Sequence, residues 1–301
     1  MHPAPSIIVF TTLSGLGYGL AAVLGLGLLD PAALSTRIAH VLALALIAAG
    51  LSSSTLHLGN PQRAWRAFSQ WRSSWLSREG VLAVVTFLPL VVSAWGSVIE
   101  GRYLLIPALS GTLLSVVVVY CTAMIYASLK SVDAWHTPLT PACYLLFSAA
   151  GGLLLAGLFS LSMGILVASL VFVAAAWIVK RMWWHRLAAL QPLSTPESAT
   201  GLGYIGRVRL FERPHVNDNY LTNEMGFRVA RKHAAKLQRF AVVVGGLAPG
   251  LLVLAAVAVG GVFLPTLLCA VAVLLFLVGI LAERWLFFAT ARHAVMNYYG
   301  G

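Results

Sequence analysis

One short stretch combines an imidazole, arginines and tryptophans at the edge of a long apolar segment. It reads STLHLGNPQRAWRAFSQWRSSWLSREG over residues 54–80, and His57 ends one apolar run while Glu79 begins the next. A histidine titrates near neutral pH, and a positioned carboxylate can also carry a proton. Such groups suit a quinone head group, whose carbonyl oxygens accept hydrogen bonds and take up protons on reduction.

We therefore predict a quinone site at this membrane edge, built from His57, Glu79, Arg78, Arg63 and Trp75. His57 and Glu79 would relay protons, and the Arg78 charge would favour a negatively charged ring. Ionisable groups at membrane depth are functional candidates by default. The alternative for His57 is a histidine that is simply hydrated at the interface.

The residues between the two ends of this stretch have the pattern of an amphipathic helix. Asn60 suits an N-cap and Pro61 the first turn, which predicts a helix over residues 61–77. Its apolar stripe has spacings of three, three and four and consists of Trp65, Phe68, Trp71 and Trp75. We expect it to lie in the membrane interface, where its alternative role is a simple anchor.

Eight apolar runs are long enough to cross a bilayer as helices. They cover residues 6–29, 38–57, 80–99, 103–128, 141–161, 163–181, 240–260 and 263–288. Hydrophobic residues make up 59% of the 301 and charged residues only 10%, whereas soluble domains carry about 25% charged residues. We predict a single-domain, all-α integral membrane protein: a bundle of eight transmembrane helices with the interfacial helix after the second span.

Positive charge is concentrated on one side of this arrangement. Because the number of spans is even, both termini lie on the same side of the membrane, together with loops 58–79, 129–140 and 182–239. That side holds 18 of the 20 Lys and Arg residues. Basic loops are retained in the cytoplasm. We predict a bacterial inner-membrane protein with termini and large loops cytoplasmic, where the basic face contacts anionic lipids or an acidic partner. No nucleic-acid-binding module accompanies the charge, so we predict no nucleic-acid partner.

Three separate segments then identify a family resemblance that covers essentially the whole chain. Residues 54–80, WHTPLTP at 135–141 and NYLTNEMGFRVARKHAAKLQRF at 219–240 resemble the membrane-anchor subunit of the dimethyl sulfoxide reductase family. The predicted sidedness and the opening HPAPSIIVFTTLSGLGYGL resemble its cytoplasmic-facing sulfite:quinone oxidoreductase (sulfite dehydrogenase) branch.

The resemblance implies a non-catalytic subunit of a three-subunit oxidoreductase. A four-cluster iron–sulfur subunit and a molybdopterin catalytic subunit would dock on the cytoplasmic face, and this chain would exchange electrons with ubiquinone or menaquinone. His57 and Glu79 match the histidine and glutamate that the family associates with its quinol site. The expected reaction is sulfite oxidation with quinone reduction, and the resemblance implies no catalytic or metal-binding residue in this chain.

Several alternatives stay open. The family generally lacks haem, but haem b bound by His57 and His136 is an alternative. For the complex the alternative is a quinol-oxidising dimethyl sulfoxide reductase, and for this chain it is a purely structural anchor. A small-solute transporter would require paired charges deep in the spans and matching broken helices, whereas Glu79, Glu283 and Arg284 all fall near span ends.

The longest loop, residues 182–239, contains the Ser- and Pro-rich segment QPLSTPESAT and a basic run near its end. We expect it to dock a partner protein, and a lipid-bound basic helix is the alternative. Cys121, Cys143 and Cys269 lie in separate apolar runs without a CxxC motif, which predicts buried thiols and no iron–sulfur, structural zinc or covalent haem site.

Overall fold

The structure is a computed structural model that describes residues 3–55, 60–191, 195–209, 211–212 and 229–295. His57 lies outside the described residues. Eight helical stretches in the described part are long and apolar enough to cross a membrane. The all-α bundle of eight transmembrane helices predicted from the sequence is therefore confirmed.

The helices follow the chain in a simple up-and-down order. The first six spans are α1 Pro5–Gly25, α2 Leu34–Thr55, α3 Trp75–Val98, α4 Leu105–Ala127, α5 Leu139–Ser160 and α6 Met163–Ala189. A short exposed helix, α7 Pro196–Thr200, follows in the long loop. The seventh span consists of α8 Val229–Val242, a π-helical turn Val243–Leu247 and α9 Ala248–Ala258, and the eighth is α10 Phe263–Ala289.

The three span ends that differ most from the sequence prediction each involve charged residues. Helix α3 begins at Trp75 rather than residue 80, because Ser74 is extended and its side chain accepts a hydrogen bond from the Ser77 backbone N–H (3.4 Å). Helix α6 continues to Ala189 rather than ending at 181. The helix of the seventh span already begins at Val229, so both ends of the predicted 182–239 loop are helical extensions of the flanking spans.

The interfacial helix is present but shorter than predicted and of a different type. It is a 3₁₀ helix, Pro61–Gln70, and Asn60 precedes it without a side-chain cap hydrogen bond. The prediction of one helix over 61–77 was wrong, because the extended backbone of Ser74 separates the 3₁₀ helix from α3. Trp75 consequently belongs to a membrane span.

Hydrogen bonds between loops and helix ends define two opposite faces of the bundle. On one face, Arg186 Nη1 donates to the Asp133 carbonyl (3.0 Å) and the Ala294 N–H donates to the Ser131 carbonyl (2.9 Å). This face, where α4, α6 and α10 end and α5 begins, is called the basic face below. On the opposite face, the Ser97 hydroxyl donates to the Pro31 carbonyl (2.8 Å).

Glycines allow the closest approaches between helices. A Cβ on Gly19 of α1 would overlap the backbone of Ser148 on α5, and a Cβ on Gly279 of α10 would overlap the backbone of Gly245. Gly245 lies in the π-helical turn, where Trp177 of α6 donates its indole N–H to the Gly245 carbonyl (2.8 Å). A π turn frees carbonyls from the regular helical ladder, and this one joins spans six, seven and eight.

Candidate functional site

Glu79 lies inside the bundle rather than on its surface. It is in the second turn of α3, 5% exposed, and its Oε1 accepts a hydrogen bond from the Thr122 hydroxyl on α4. Tyr18 of α1 lies within electrostatic reach of the same carboxylate. A carboxylate in this position is shielded from bulk water and held in one orientation by the Thr122 hydroxyl.

Arg78 points away from Glu79, because consecutive residues of an α-helix project about 100° apart. Its Nε and Nη2 atoms donate to the carbonyls of Trp71 (3.0 Å) and Arg72 (2.6 Å), which tie the segment before α3 to the helix. The guanidinium also lies 4.3 Å from the Trp75 ring centre. Much of the Arg78 hydrogen-bonding capacity is therefore committed to the fold.

The remaining predicted site residues occupy different positions. Trp75 is half-buried and makes an edge-to-face contact with Tyr120 of α4, with ring centres 5.9 Å apart. Arg63 is exposed on the 3₁₀ helix. The structure thus brings Trp75 together with Arg78, buries Glu79 one helical turn along α3 from Trp75, and leaves Arg63 at the surface.

His136, the other residue considered as a haem ligand, lies in the loop between α4 and α5. Its Nδ1 atom is 2.7 Å from the Ala127 carbonyl, and its own backbone carbonyl accepts a hydrogen bond from Arg186 Nη2 at 3.4 Å. The imidazole is exposed on the basic face. The Ala127 contact orients the ring and directs Nε2 away from the helix end.

The structure also contains a buried charged cluster that sequence reasoning missed. Lys180 of α6 forms an ion pair with Glu283 of α10 (Nζ to Oε1, 2.6 Å), and Arg284 Nη1 lies 3.3 Å from the other Glu283 oxygen. Lys180 and Glu283 have no exposed surface, and Arg284 is 2% exposed. Lys180 lies about 13 Å along α6 from its last residue, because the helix continues eight residues beyond the predicted span end at 181.

Aromatic rings surround both cations of this cluster. Lys180 Nζ lies 3.8 Å from the Trp183 ring centre, and the Arg284 guanidinium lies 3.8 Å from that of Tyr144. These cation–π contacts partly replace lost hydration. The sequence signal was the spacing of Lys180 and Trp183, which places both side chains on one helix face. Lys180 and Arg284 therefore do not contribute to the positive charge of the basic face.

A small polar cavity lies between the charged cluster and Glu79. Its volume is about 20 Å³, and its polar lining residues come from α1, α4, α5 and α10. They are Thr11, Thr12, Ser14, Thr122, Tyr144, Ser148 and Arg284. Thr122, which holds Glu79, and Arg284, which belongs to the charged cluster, thus line the same space.

A larger, apolar groove adjoins this cavity. It has a volume of about 360 Å³ and lies between α1, α4, α5 and α6, and Val119 and Ser148 line both spaces. Its wall extends to Leu26 and Leu28, at the end of α1 opposite the basic face. This volume is within the range of small-molecule sites.

Comparisons with known proteins agree with the resemblance noted in the sequence. A family model described as DMSO reductase anchor subunit (DmsC) matches residues 1–290. The chain is also similar to the C subunit of the sulfite dehydrogenase from Allochromatium vinosum, with 33% identity over 99% of both chains. A family-model match of this extent and a full-length relative lead to the same assignment. The chain belongs to the DMSO reductase anchor subunit family.

Proposed function

We propose that this chain is the quinone-binding anchor of a three-subunit molybdenum and iron–sulfur oxidoreductase. In this role it passes electrons between the iron–sulfur subunit and the membrane quinone pool. Membership in the anchor family supports the place in a complex. The observation that carries quinone binding is Glu79, a buried carboxylate held by Thr122. It lies one helical turn along α3 from the half-buried Trp75, whose ring contacts the exposed Tyr120.

The residues present fit a quinone head group, which exchanges electrons and protons when bound. Trp75 and Tyr120 offer aromatic surface at the membrane edge, and Arg78 places positive charge beside Trp75. Glu79 holds and moves a proton at its carboxylate, while Thr122 keeps that carboxylate oriented. His57 is proposed as the second proton-carrying residue.

We further propose that the complex oxidises sulfite and reduces quinone, either ubiquinone or menaquinone. The relative from Allochromatium vinosum belongs to a sulfite dehydrogenase, which supports this substrate. The basic residues on one face support a cytoplasmic orientation of that face. A four-cluster iron–sulfur subunit would dock there, carrying the molybdopterin catalytic subunit, and the loop around α7 would contribute to docking.

We propose that this chain binds no haem b. His136 uses its Nδ1 atom on the Ala127 carbonyl (2.7 Å) and lies exposed at the surface. A reduced-minus-oxidised absorption spectrum of the purified complex tests this point. The spectrum should lack haem b bands, and their presence would require His57 and His136 to be reassigned as ligands.

The central experiment separates quinone chemistry from assembly. In the purified complex, Glu79→Gln and His57→Ala should each lower quinone-linked turnover by about 100-fold or more, the usual range for loss of a proton-transfer group. Turnover with an artificial acceptor that takes electrons from the partner subunits should be unchanged.

Glu100→Gln is the matched control, since Glu100 is a carboxylate in the loop on the opposite face, partly exposed and paired with Arg102. It should leave both activities intact. Full quinone-linked turnover in both the Glu79 and His57 variants would reject this site.

A further inference from the structure

The polar cavity contains more hydrogen-bonding atoms than its lining residues can satisfy. Three buried atoms of the lining make no hydrogen bond to any described residue: Thr12 Oγ1, Tyr144 Oη and Arg284 Nε. The neighbouring hydroxyls are different. Thr11 donates to the Ile7 carbonyl (2.9 Å) and Ser148 to the Gly15 carbonyl (2.6 Å).

Leaving such groups without a hydrogen-bond partner is costly, because a buried polar group has lost its hydration and gained nothing in return. A cavity of about 20 Å³ exceeds the roughly 10–15 Å³ that one water needs, and a buried water binds to two to four polar partners. The cavity therefore has both the size and the partners of an internal water site.

We propose that this cavity binds ordered water, and that this water connects Glu79, through Thr122, to the Lys180–Glu283–Arg284 cluster. The water would bind to Arg284, Thr12 and Tyr144 and would reach the Thr122 hydroxyl, which also lines the cavity. The four buried ionisable side chains then form one hydrogen-bonded network.

Arg284 is a positioning residue in this network. Its ion pair with Glu283 through Nη1 and its stacking on Tyr144 fix the guanidinium, so that Nε can hold the water in one place. The inference deepens the proposed function, because Glu79 is there the proton-carrying residue. The water site itself depends only on the geometry of the described side chains.

Two threonines of α1 provide a matched test. Thr12→Val removes a hydroxyl that is free to bind water, whereas Thr11→Val removes one already bonded to the Ile7 carbonyl. Both residues are buried and line the cavity, and valine has nearly the shape of threonine. Tyr144→Phe is a second variant that removes an unpaired hydroxyl.

The measurement is infrared difference spectroscopy of the full chain in lipid nanodiscs. The infrared band of the Glu79 side chain, whether carboxyl or carboxylate, is identified as the band that disappears in Glu79→Gln. Exchange into H₂¹⁸O identifies bound water. We expect an ¹⁸O-sensitive water band in the natural chain and in Thr11→Val, and its loss in Thr12→Val. The Glu79 band should shift in Thr12→Val and Tyr144→Phe and stay in place in Thr11→Val.

An unchanged Glu79 band in both Thr12→Val and Tyr144→Phe would overturn the inference. An equal shift in Thr11→Val would also overturn it, since general packing would then be the cause. Failure of the proposed function has a different signature. In that case Glu79→Gln would keep quinone-linked turnover, while the water band and its dependence on Thr12 would remain.

Discussion

The buried charged cluster leads to a prediction about stability. Lys180→Met should destabilise the natural chain but stabilise a chain that already carries Glu283→Gln. In the natural chain, Lys180 and Arg284 flank Glu283 at 2.6 and 3.3 Å, and all three are almost fully buried. Glu283→Gln leaves two buried positive charges facing each other without a counter-charge. Removing one partner of a buried ion pair costs about 3–5 kcal/mol.

Lys180→Met has a smaller cost in the natural chain, because Glu283 keeps Arg284 as its partner. In the Glu283→Gln background the same change removes one of two unpaired cations and should raise stability. A recovery of about 3 kcal/mol corresponds to a factor of more than 100 in the unfolding equilibrium. The sign of the Lys180→Met effect thus depends on Glu283.

The assay is reversible unfolding in mixed micelles of a mild detergent and dodecyl sulfate, followed by tryptophan fluorescence. Trp183, whose ring centre is 3.8 Å from Lys180 Nζ, reports on the cluster. The four proteins of the double-mutant cycle are compared at the same detergent ratio. If Lys180→Met destabilises both backgrounds by the same amount, Lys180 and Glu283 are energetically independent and the reasoning is refuted.

Three further predictions concern other parts of the bundle. Trp177→Phe removes the hydrogen bond to the Gly245 carbonyl and should cost about 1 kcal/mol in the same assay; an unchanged unfolding midpoint would argue against a role for the π turn. Arg78→Gln releases two backbone carbonyls before α3 and should speed tryptic cleavage there, whereas an unchanged rate would indicate that other contacts hold this segment. For sidedness, a membrane-impermeant maleimide should label Ala32→Cys but not Lys130→Cys in intact spheroplasts, because the proposed orientation places only Ala32 outside the cell. The three native cysteines are buried and should not react. The opposite labelling pattern would reverse the proposed orientation.

The number and order of the spans could be predicted because a bilayer imposes a length on every apolar helix. Where the prediction differed, charged residues near a span end were assigned to loops. Arg78 and Glu79 lie in α3 because the Ser74 side chain accepts a hydrogen bond near the start of the helix. Lys180 was already inside the predicted sixth span, but only the structure shows that Glu283 and Trp183 replace its hydration there. A hydropathy pattern contains neither contact.

The candidate site could be predicted only as a set of residue types. The sequence places Arg78 and Glu79 side by side, and only the helix phase shows that one supports the preceding segment while the other enters the bundle. The sequence also gives no sign that Thr122, 43 positions later, hydrogen-bonds to Glu79. Such partners come from different spans, whose relative rotation depends on packing.

By itself, the sequence determined that the chain crosses a membrane, how many times it does so and which side is positively charged, because these properties depend on composition summed along each segment. Tertiary structure decided which ionisable side chains face one another inside the bundle. The close packing of α1, α4, α5 and α10 brings Thr122, which holds Glu79, and Arg284 to the same polar cavity. That arrangement depends on contacts at long sequence separation, where the burial of a charge is favourable only if a distant residue compensates it.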